Sequence, residues 1–229
     1  MKTALAVIVL ILAIVALPIF LSPPPDNQTG KPVEGLPWQI EALPDGQSRV
    51  AGLTLGTTTV ADVRQRFGDD MEVAIVTAPG EAGTVEAYFS DAAFGPVTGK
   101  LIATADIAAA TIERMRQRST KTEYMGSSTK KSAVHPDDLP AIYAAPIRAL
   151  AFIPAVNLDE AIVVQRFGTP AERLRTSEHT EHFLYPAHGL DVVLDSEGKE
   201  LLQYVAPRRF AELRAPLTQQ TASSQGNTQ

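Results

Sequence analysis

A four-residue segment that occurs twice constrains this chain more than any other feature. Residues 65–68 read QRFG, and residues 165–168 repeat them one hundred positions later. The flanking pattern recurs as well, because each copy starts with a residue suited to capping a helix, Thr59 or Asp159, and ends with a glycine. Between cap and glycine the apolar residues lie at helical spacing. The sequence therefore predicts two related units, each opening with a short helix.

The period of the apolar residues changes from 3.6 to 2 after each helix, which is typical of strands. Pro170, just beyond the second copy, prevents its helix from continuing. The residues that define the repeat are Thr59, Val63, Phe67 and Gly68 in the first copy, and Asp159, Val163, Phe167, Gly168 and Pro170 in the second. Strands are predicted at 71–77, 84–89 and 100–105, and again at 172–176, 181–185, 190–194 and 201–205. Each unit is thus expected to be a helix followed by an antiparallel meander.

The predicted fold class is α+β, with an N-terminal transmembrane helix followed by two tandem small helix-plus-antiparallel-meander domains. The expected organisation is a transmembrane anchor or signal peptide at 1–21, a proline-rich linker at 22–37, a first α+β repeat at 38–106, a helix and irregular connector at 107–147, a second α+β repeat at 148–216 and a disordered tail at 217–229. The tail is polar and low in complexity, which is the basis for expecting disorder.

Residues 4–21 contain no charged or strongly polar side chain. As a helix this run would extend about 27 Å, enough to span a bilayer core. A cleavable signal peptide is the alternative, since Lys2 supplies a short basic region, but no well-placed pair of small residues marks a cleavage site. We therefore predict an uncleaved single-pass anchor in a bacterial inner membrane, with the domains that follow in the periplasm.

Composition excludes several classes of function. The chain of 229 residues carries a net charge of −6 and has no basic segment of the kind that neutralises phosphates, so no nucleic-acid partner is expected. It has no cysteine, which excludes disulfides, thiol nucleophiles and cysteine-ligated metals. No nucleophile elbow, P-loop or dinucleotide fingerprint is present. We therefore predict no catalytic residues and no cofactor.

One local cluster contains residues of the types that bind zinc. It consists of His179, Glu181, His182 and His188. Nitrogen and oxygen donors of this kind can hold the metal when three or four converge. On a strand, however, His179 and Glu181 would lie on the face opposite to His182. The expected interpretation is a polar turn followed by a solvated strand, with a metal site as the alternative.

The second repeat contains a pattern known from a family. Asp159, Val163, residues 168–170 (Gly-Thr-Pro), an aromatic-bearing strand at 183–185 and Gly198 follow one another. This pattern resembles the BamE-like (SmpA/OmlA) family of small outer-membrane-assembly lipoproteins. The chain differs from that family in having two copies and no lipid-bearing cysteine. The resemblance implies small α+β units and a location in the cell envelope.

The function expected from the sequence is that of a non-catalytic protein-interaction module of the bacterial envelope. Its partner would be another, unidentified envelope protein, bound at strand edges or in a groove between helix and sheet. Two alternatives stay open: a metal-dependent or other envelope enzyme using the histidine cluster, and a binder of a cell-wall or lipid ligand between the repeats. Trp38, the only tryptophan, is expected to anchor the core of the first domain.

Overall fold

The computed structural model of the chain describes residues 34–125 and 128–226. The predicted anchor or signal peptide at 1–21 lies outside these residues, as does the linker up to residue 33. Among the described residues, no helix combines the length and the apolar character needed to cross a bilayer.

The described residues form five α-helices, thirteen strands and three short 3-10 turns. The helices are α1 (Val60–Phe67), α2 (Ala109–Gln117), α3 (Leu139–Ala144), α4 (Glu160–Phe167) and α5 (Phe210–Gly226). The strands are β1 (Ile40–Ala42), β2 (Ser48–Val50), β3 (Leu53–Thr54), β4 (Met71–Thr77), β5 (Thr84–Phe94), β6 (Val97–Ala105), β7 (Thr122–Tyr124), β8 (Lys130–Ala133), β9 (Ile147–Pro154), β10 (Glu172–Arg175), β11 (Thr180–Tyr185), β12 (Leu190–Asp195) and β13 (Leu201–Val205). The 3-10 turns are Pro136–Asp138, Pro186–His188 and Pro207–Arg209.

Ten of the strands form one antiparallel sheet in the order β10-β11-β12-β13-β9-β6-β5-β4-β8-β7. Strand β9 joins the two halves, because its Phe152 lies opposite Leu101 of β6 on one side and opposite Leu202 of β13 on the other. The three short strands β1, β2 and β3 form a separate small sheet.

The prediction of two tandem small domains is wrong. Both repeats contribute strands to the same ten-stranded sheet, and their buried side chains belong to one continuous core that extends from Val50 in β2 to Tyr204 in β13. The physical reason is that β9 forms hydrogen bonds with a strand of each repeat, so neither meander ends at a free edge at that point. The described fold is mainly an antiparallel sheet with few helices.

The two faces of the large sheet are covered by different elements. Helices α1 to α4 and the small sheet pack on one face, here called the core face, where they bury residues such as Val63, Ile112, Ile142 and Val163. Helix α5 packs on the opposite face, the outer face, where Phe210 and Leu217 contact Leu184 of β11. This helix continues to Gly226, through part of the segment for which the sequence predicts disorder.

Helices α1 and α4, which open the two repeats, start and stop in the same way. The Thr59 hydroxyl accepts a hydrogen bond from the Asp62 backbone amide at 3.2 Å, and the Asp62 carboxylate accepts one from the Thr59 amide at 2.9 Å. The Asp159 carboxylate accepts from the Ile162 amide at 2.8 Å. Gly68 and Gly168 end the helices with positive φ angles of 106° and 80°.

Candidate binding site

An apolar pocket of about 230 Å³ lies between α4, the core face at β9 and the segment that precedes the small sheet. Its lining includes Trp38, Val156, Leu158, Ile162, Phe167 and Leu202. Among the residues that line it, Arg166 is the only charged one. A concave apolar surface with a single charged group is the usual form of a binding pocket.

The phenylalanines at the ends of α1 and α4 have different aromatic neighbours. In the first repeat, the Phe67 ring lies 5.8 Å from that of Phe89 and 5.2 Å from that of Phe94, measured between centroids. In the second repeat, Phe167 has Tyr185 at 5.9 Å as its aromatic neighbour among the described residues. Strand β11 ends at Tyr185, whereas β5 continues to Phe94. Phe167 also lines the apolar pocket.

Trp38 and Arg166, which both line the pocket, contact each other. The guanidinium carbon of Arg166 lies 4.4 Å from the centroid of the half-buried Trp38 ring, a cation–π contact. The chain at this point is held by Tyr204, whose hydroxyl donates a hydrogen bond of 3.0 Å to the carbonyl of Pro37. Burial raises the pKa of the Tyr204 phenol well above its usual value, so this donor keeps its proton.

A second, polar cavity of about 490 Å³ lies next to the apolar pocket, and Asn157 and Leu158 line both. We call it the acidic cleft, because Glu178, Glu181, Asp195 and Glu200 line it together with Arg175 and His179. Arg173 lies 2.9 Å from Glu181, and its hydrogen bond is the main cause that lowers the pKa of this carboxyl. The Asp195 carboxylate accepts hydrogen bonds from the Glu197 amide at 2.9 Å and the Thr180 hydroxyl at 3.2 Å.

Glu200 differs from the other acidic residues of the cleft. It is only 8% exposed, and no described residue gives its Oε2 atom a hydrogen-bond partner. The Asp195 carboxylate stabilises the turn after β12, and the Glu181 carboxylate pairs with arginines of the neighbouring strand β10. Glu200 is thus mostly buried at the cleft, and its Oε2 atom has no partner among the described residues.

Comparisons with protein-family models, with curated proteins and with solved structures found no match. The function of this chain is therefore inferred from its own residues and their geometry.

The four residues that the sequence offered as metal ligands do not converge. Glu181 lies on the core face and is paired with Arg173 and Arg175, whereas His182 is buried on the outer face. His179 is exposed in the turn before β11, and His188 lies beyond the other end of that strand. Among the described residues, no group of three or more histidine, aspartate or glutamate side chains is placed to hold a metal ion.

His182 instead forms a buried pair with an aspartate. Its Nδ1 atom lies 2.8 Å from a carboxylate oxygen of Asp191, which is completely buried. Burial raises the pKa of the Asp191 carboxyl, and the hydrogen bond and charge of His182 oppose that rise in part. Asp191 lies opposite Leu184, the residue that α5 covers. The pair is therefore a feature of the packed outer face.

Sequence reasoning missed most of the residues that form the candidate site. Trp38 was expected to anchor the core, and the structure places its ring half-buried in the lining of the apolar pocket. Ile162 and Phe167 carried a signal, because they belong to the apolar stripe of the second helix. Leu158 and Glu200 belong to no motif, and only the folded arrangement brings them to the site.

Proposed function

We propose that this chain is a non-catalytic binding module that accepts an apolar side chain of a partner protein in the apolar pocket. The observation that carries the proposal is the pocket itself, an apolar cavity beside α4 in whose lining Arg166 is the single charged residue. The resemblance of the second repeat to BamE-like domains supports an envelope protein as the partner.

The lining of the pocket favours binding over chemistry. Besides Arg166 and Asn157, its side chains are hydrocarbon or aromatic, and it includes no histidine, hydroxyl or carboxylate group. Such a lining supplies no general base and no nucleophile. Burial of one leucine side chain contributes roughly 1.5–3 kcal/mol, so the pocket would anchor a larger contact surface.

Trp38 provides a direct test, since it is the only tryptophan of the chain and lies at the pocket. The probe is a blocked pentapeptide with a central leucine between glutamine and glycine residues, and its matched control carries alanine at the centre. We expect the leucine peptide to change the Trp38 emission saturably, with a dissociation constant of about 10 mM, which corresponds to the upper part of that range of burial energy. The alanine peptide should have little effect.

Two variants separate the pocket from the general surface. Val156 is 54% exposed and lines the pocket, whereas Val164 on α4 is 37% exposed and does not line it. Val156→Asp should abolish the response to the leucine peptide, and Val164→Asp should leave it unchanged. If the leucine peptide gives no saturable response, or if Val156→Asp responds as the unmodified protein does, the proposal fails.

We further propose that the module is held at the periplasmic face of the inner membrane by residues 4–21. The support is their uninterrupted apolar sequence. We expect the protein recovered from a membrane fraction to begin at or near Met1, as determined by intact mass. A mature N-terminus near residue 22 would instead indicate a cleaved signal peptide.

A further inference from the structure

The apolar pocket and the acidic cleft are contiguous parts of one surface. Asn157 and Leu158 contribute to both linings. Leu202 lines the pocket and Glu200 lines the cleft, and the two residues are separated by a single position. Two residues of an extended chain span about 7 Å. Glu200 at the cleft thus lies about 7 Å along the backbone from Leu202, which lines the pocket.

Glu200 lacks a partner that its burial would normally require. A carboxylate removed from water loses solvation energy unless a hydrogen bond or an opposite charge replaces it. The two arginines near the cleft, Arg173 and Arg175, both pair with Glu181. Glu178, at the same cleft, forms no ion pair with a described residue. Lys199 also lies beside the cleft, since its ammonium donates a hydrogen bond of 3.3 Å to the Asn157 side-chain oxygen. Among the described residues, neither Glu178 nor Glu200 forms an ion pair with it.

We propose that the partner is an extended segment with a large apolar residue in the pocket and a lysine or arginine two positions away, whose cation pairs with Glu200. The inference rests on the proposed function, since it names the chemistry of the same partner. In an extended chain, residues i and i+2 point to the same side and lie about 7 Å apart. This spacing equals the offset between Leu202 and Glu200.

A side-chain cation fits the cleft better than a metal ion does. A metal needs several ligands at once, and the described histidine, aspartate and glutamate residues offer no group of three that could hold one. A lysine ammonium or arginine guanidinium needs only a carboxylate and nearby polar atoms. Hydrogen bonds between charged groups are the stronger ones, so this contact would set specificity.

The experiment compares three blocked heptapeptides by Trp38 emission. All have a central leucine. One carries lysine, one glutamine and one glutamate at both positions two residues away from the leucine, so that the peptide can bind in either chain direction. We expect the lysine peptide to bind about tenfold more tightly than the glutamine peptide, and the glutamate peptide to bind most weakly. A fourth peptide, with the lysines directly adjacent to the leucine, should lose most of this advantage.

The variant Glu200→Gln should bind the lysine and glutamine peptides equally while still binding both. The control Glu212→Gln, an exposed residue of α5, should retain the preference for lysine. Equal binding of the lysine and glutamine peptides by the unmodified protein, tighter binding of the glutamate peptide, or equal binding at both lysine spacings would overturn the inference. These results differ from failure of the proposed function, in which no leucine peptide binds at all.

Discussion

At the scale of single residues, the two copies of the repeat place the same phenylalanine in different surroundings. Phe67 is enclosed by the rings of Phe89 and Phe94, whereas Phe167 contacts Tyr185 and lines the apolar pocket. Each aromatic pair contributes roughly 0.5–1.5 kcal/mol beyond the burial of its area. Identical positions in the repeat therefore differ in their contribution to stability.

Replacement of each phenylalanine by alanine tests this difference. We expect Phe67→Ala to lower the free energy of unfolding by about 3 kcal/mol, the lower end of the range for buried phenylalanines, because its ring is half-buried. The loss of unfolding free energy for Phe167→Ala should be about 1 kcal/mol smaller than that for Phe67→Ala, because Phe167 has one aromatic contact and Phe67 has two. Urea unfolding measures both values. A loss for Phe167→Ala equal to or greater than that for Phe67→Ala would contradict the comparison.

The buried pair of Asp191 and His182 makes stability depend on pH. The Asp191 carboxyl ionises near pH 3.8 in the unfolded chain and at a higher pH in the native state, because burial raises its pKa. The native state therefore binds the proton more tightly, and this residue lowers stability as the pH rises from 3.8 through the native pKa.

Asp191→Asn removes the ionisation and keeps an oxygen that accepts from His182. We expect its stability relative to the unmodified protein to increase between about pH 3.5 and pH 7, as measured by urea unfolding. Asp191→Ala, which leaves the buried Nδ1 atom of His182 without a partner, should be about 1–3 kcal/mol less stable than the unmodified protein near pH 3.5, and this deficit should become smaller as the pH rises. A difference between Asp191→Asn and the unmodified protein that does not vary with pH would refute the assignment.

At the scale of secondary-structure elements, helices α1 and α4 have the same length and the same kind of N-terminal cap, but they differ in their relation to the apolar pocket. Both have eight residues and a side chain that caps the first turn, but only α4 contributes residues to the apolar pocket. Loss of either cap should therefore lower the stability of the protein by a similar amount, and only loss of the α4 cap should weaken binding of the leucine peptide.

Thr59→Ala and Asp159→Ala form the corresponding pair of variants. Each should lower the free energy of unfolding by about 1 kcal/mol, the usual effect of removing an N-cap. Asp159→Ala should also weaken binding of the leucine peptide, because the first turn of α4 holds Ile162 at the pocket. Thr59→Ala should bind it normally. Equal effects of the two variants on Trp38 emission would show that α4 does not shape the site.

The elements that the sequence predicts well are those defined by local periodicity. Helices α1 and α4 and strands β4 and β13 occur where the spacing of apolar residues places them. The order of the strands in the sheet could not be predicted in this way. Strand β9 pairs with both β6 and β13, and the alternation of its apolar side chains does not indicate which distant strands will be its neighbours. The site was predicted only in part, since Glu200 and Leu158 become neighbours through that same pairing of distant segments.

At the scale of the whole molecule, the continuous sheet and core predict cooperative unfolding. Two independent domains would melt separately, but here the buried residues of both repeats belong to one core. Helix α5 adds a smaller cluster of buried residues on the outer face. The loss of either half would expose an edge of β9 and the apolar side chains on its core face.

We expect a single thermal transition whose midpoint is the same by far-ultraviolet circular dichroism and by Trp38 emission. The first signal reports mainly on the large sheet, and the second reports on the segment beside the second repeat. Residues 148–229 produced alone should not fold, because β9 would lack β6. Two separate transitions, or a folded fragment, would restore the view of independent domains.

The position of β9 at the junction has a consequence for the order in which the protein matures. A chain made from its N-terminus completes β4, β5 and β6 before the connector and β9 have been synthesised. Until then β6 carries unpaired backbone groups, and its buried residues Leu101 and Ala103 lack the neighbour that later covers their flank. During synthesis the first half thus has an exposed edge strand that can pair with a strand of another chain, until β9 is made and pairs with it. We therefore expect the first half to be prone to aggregation until β9 has been made.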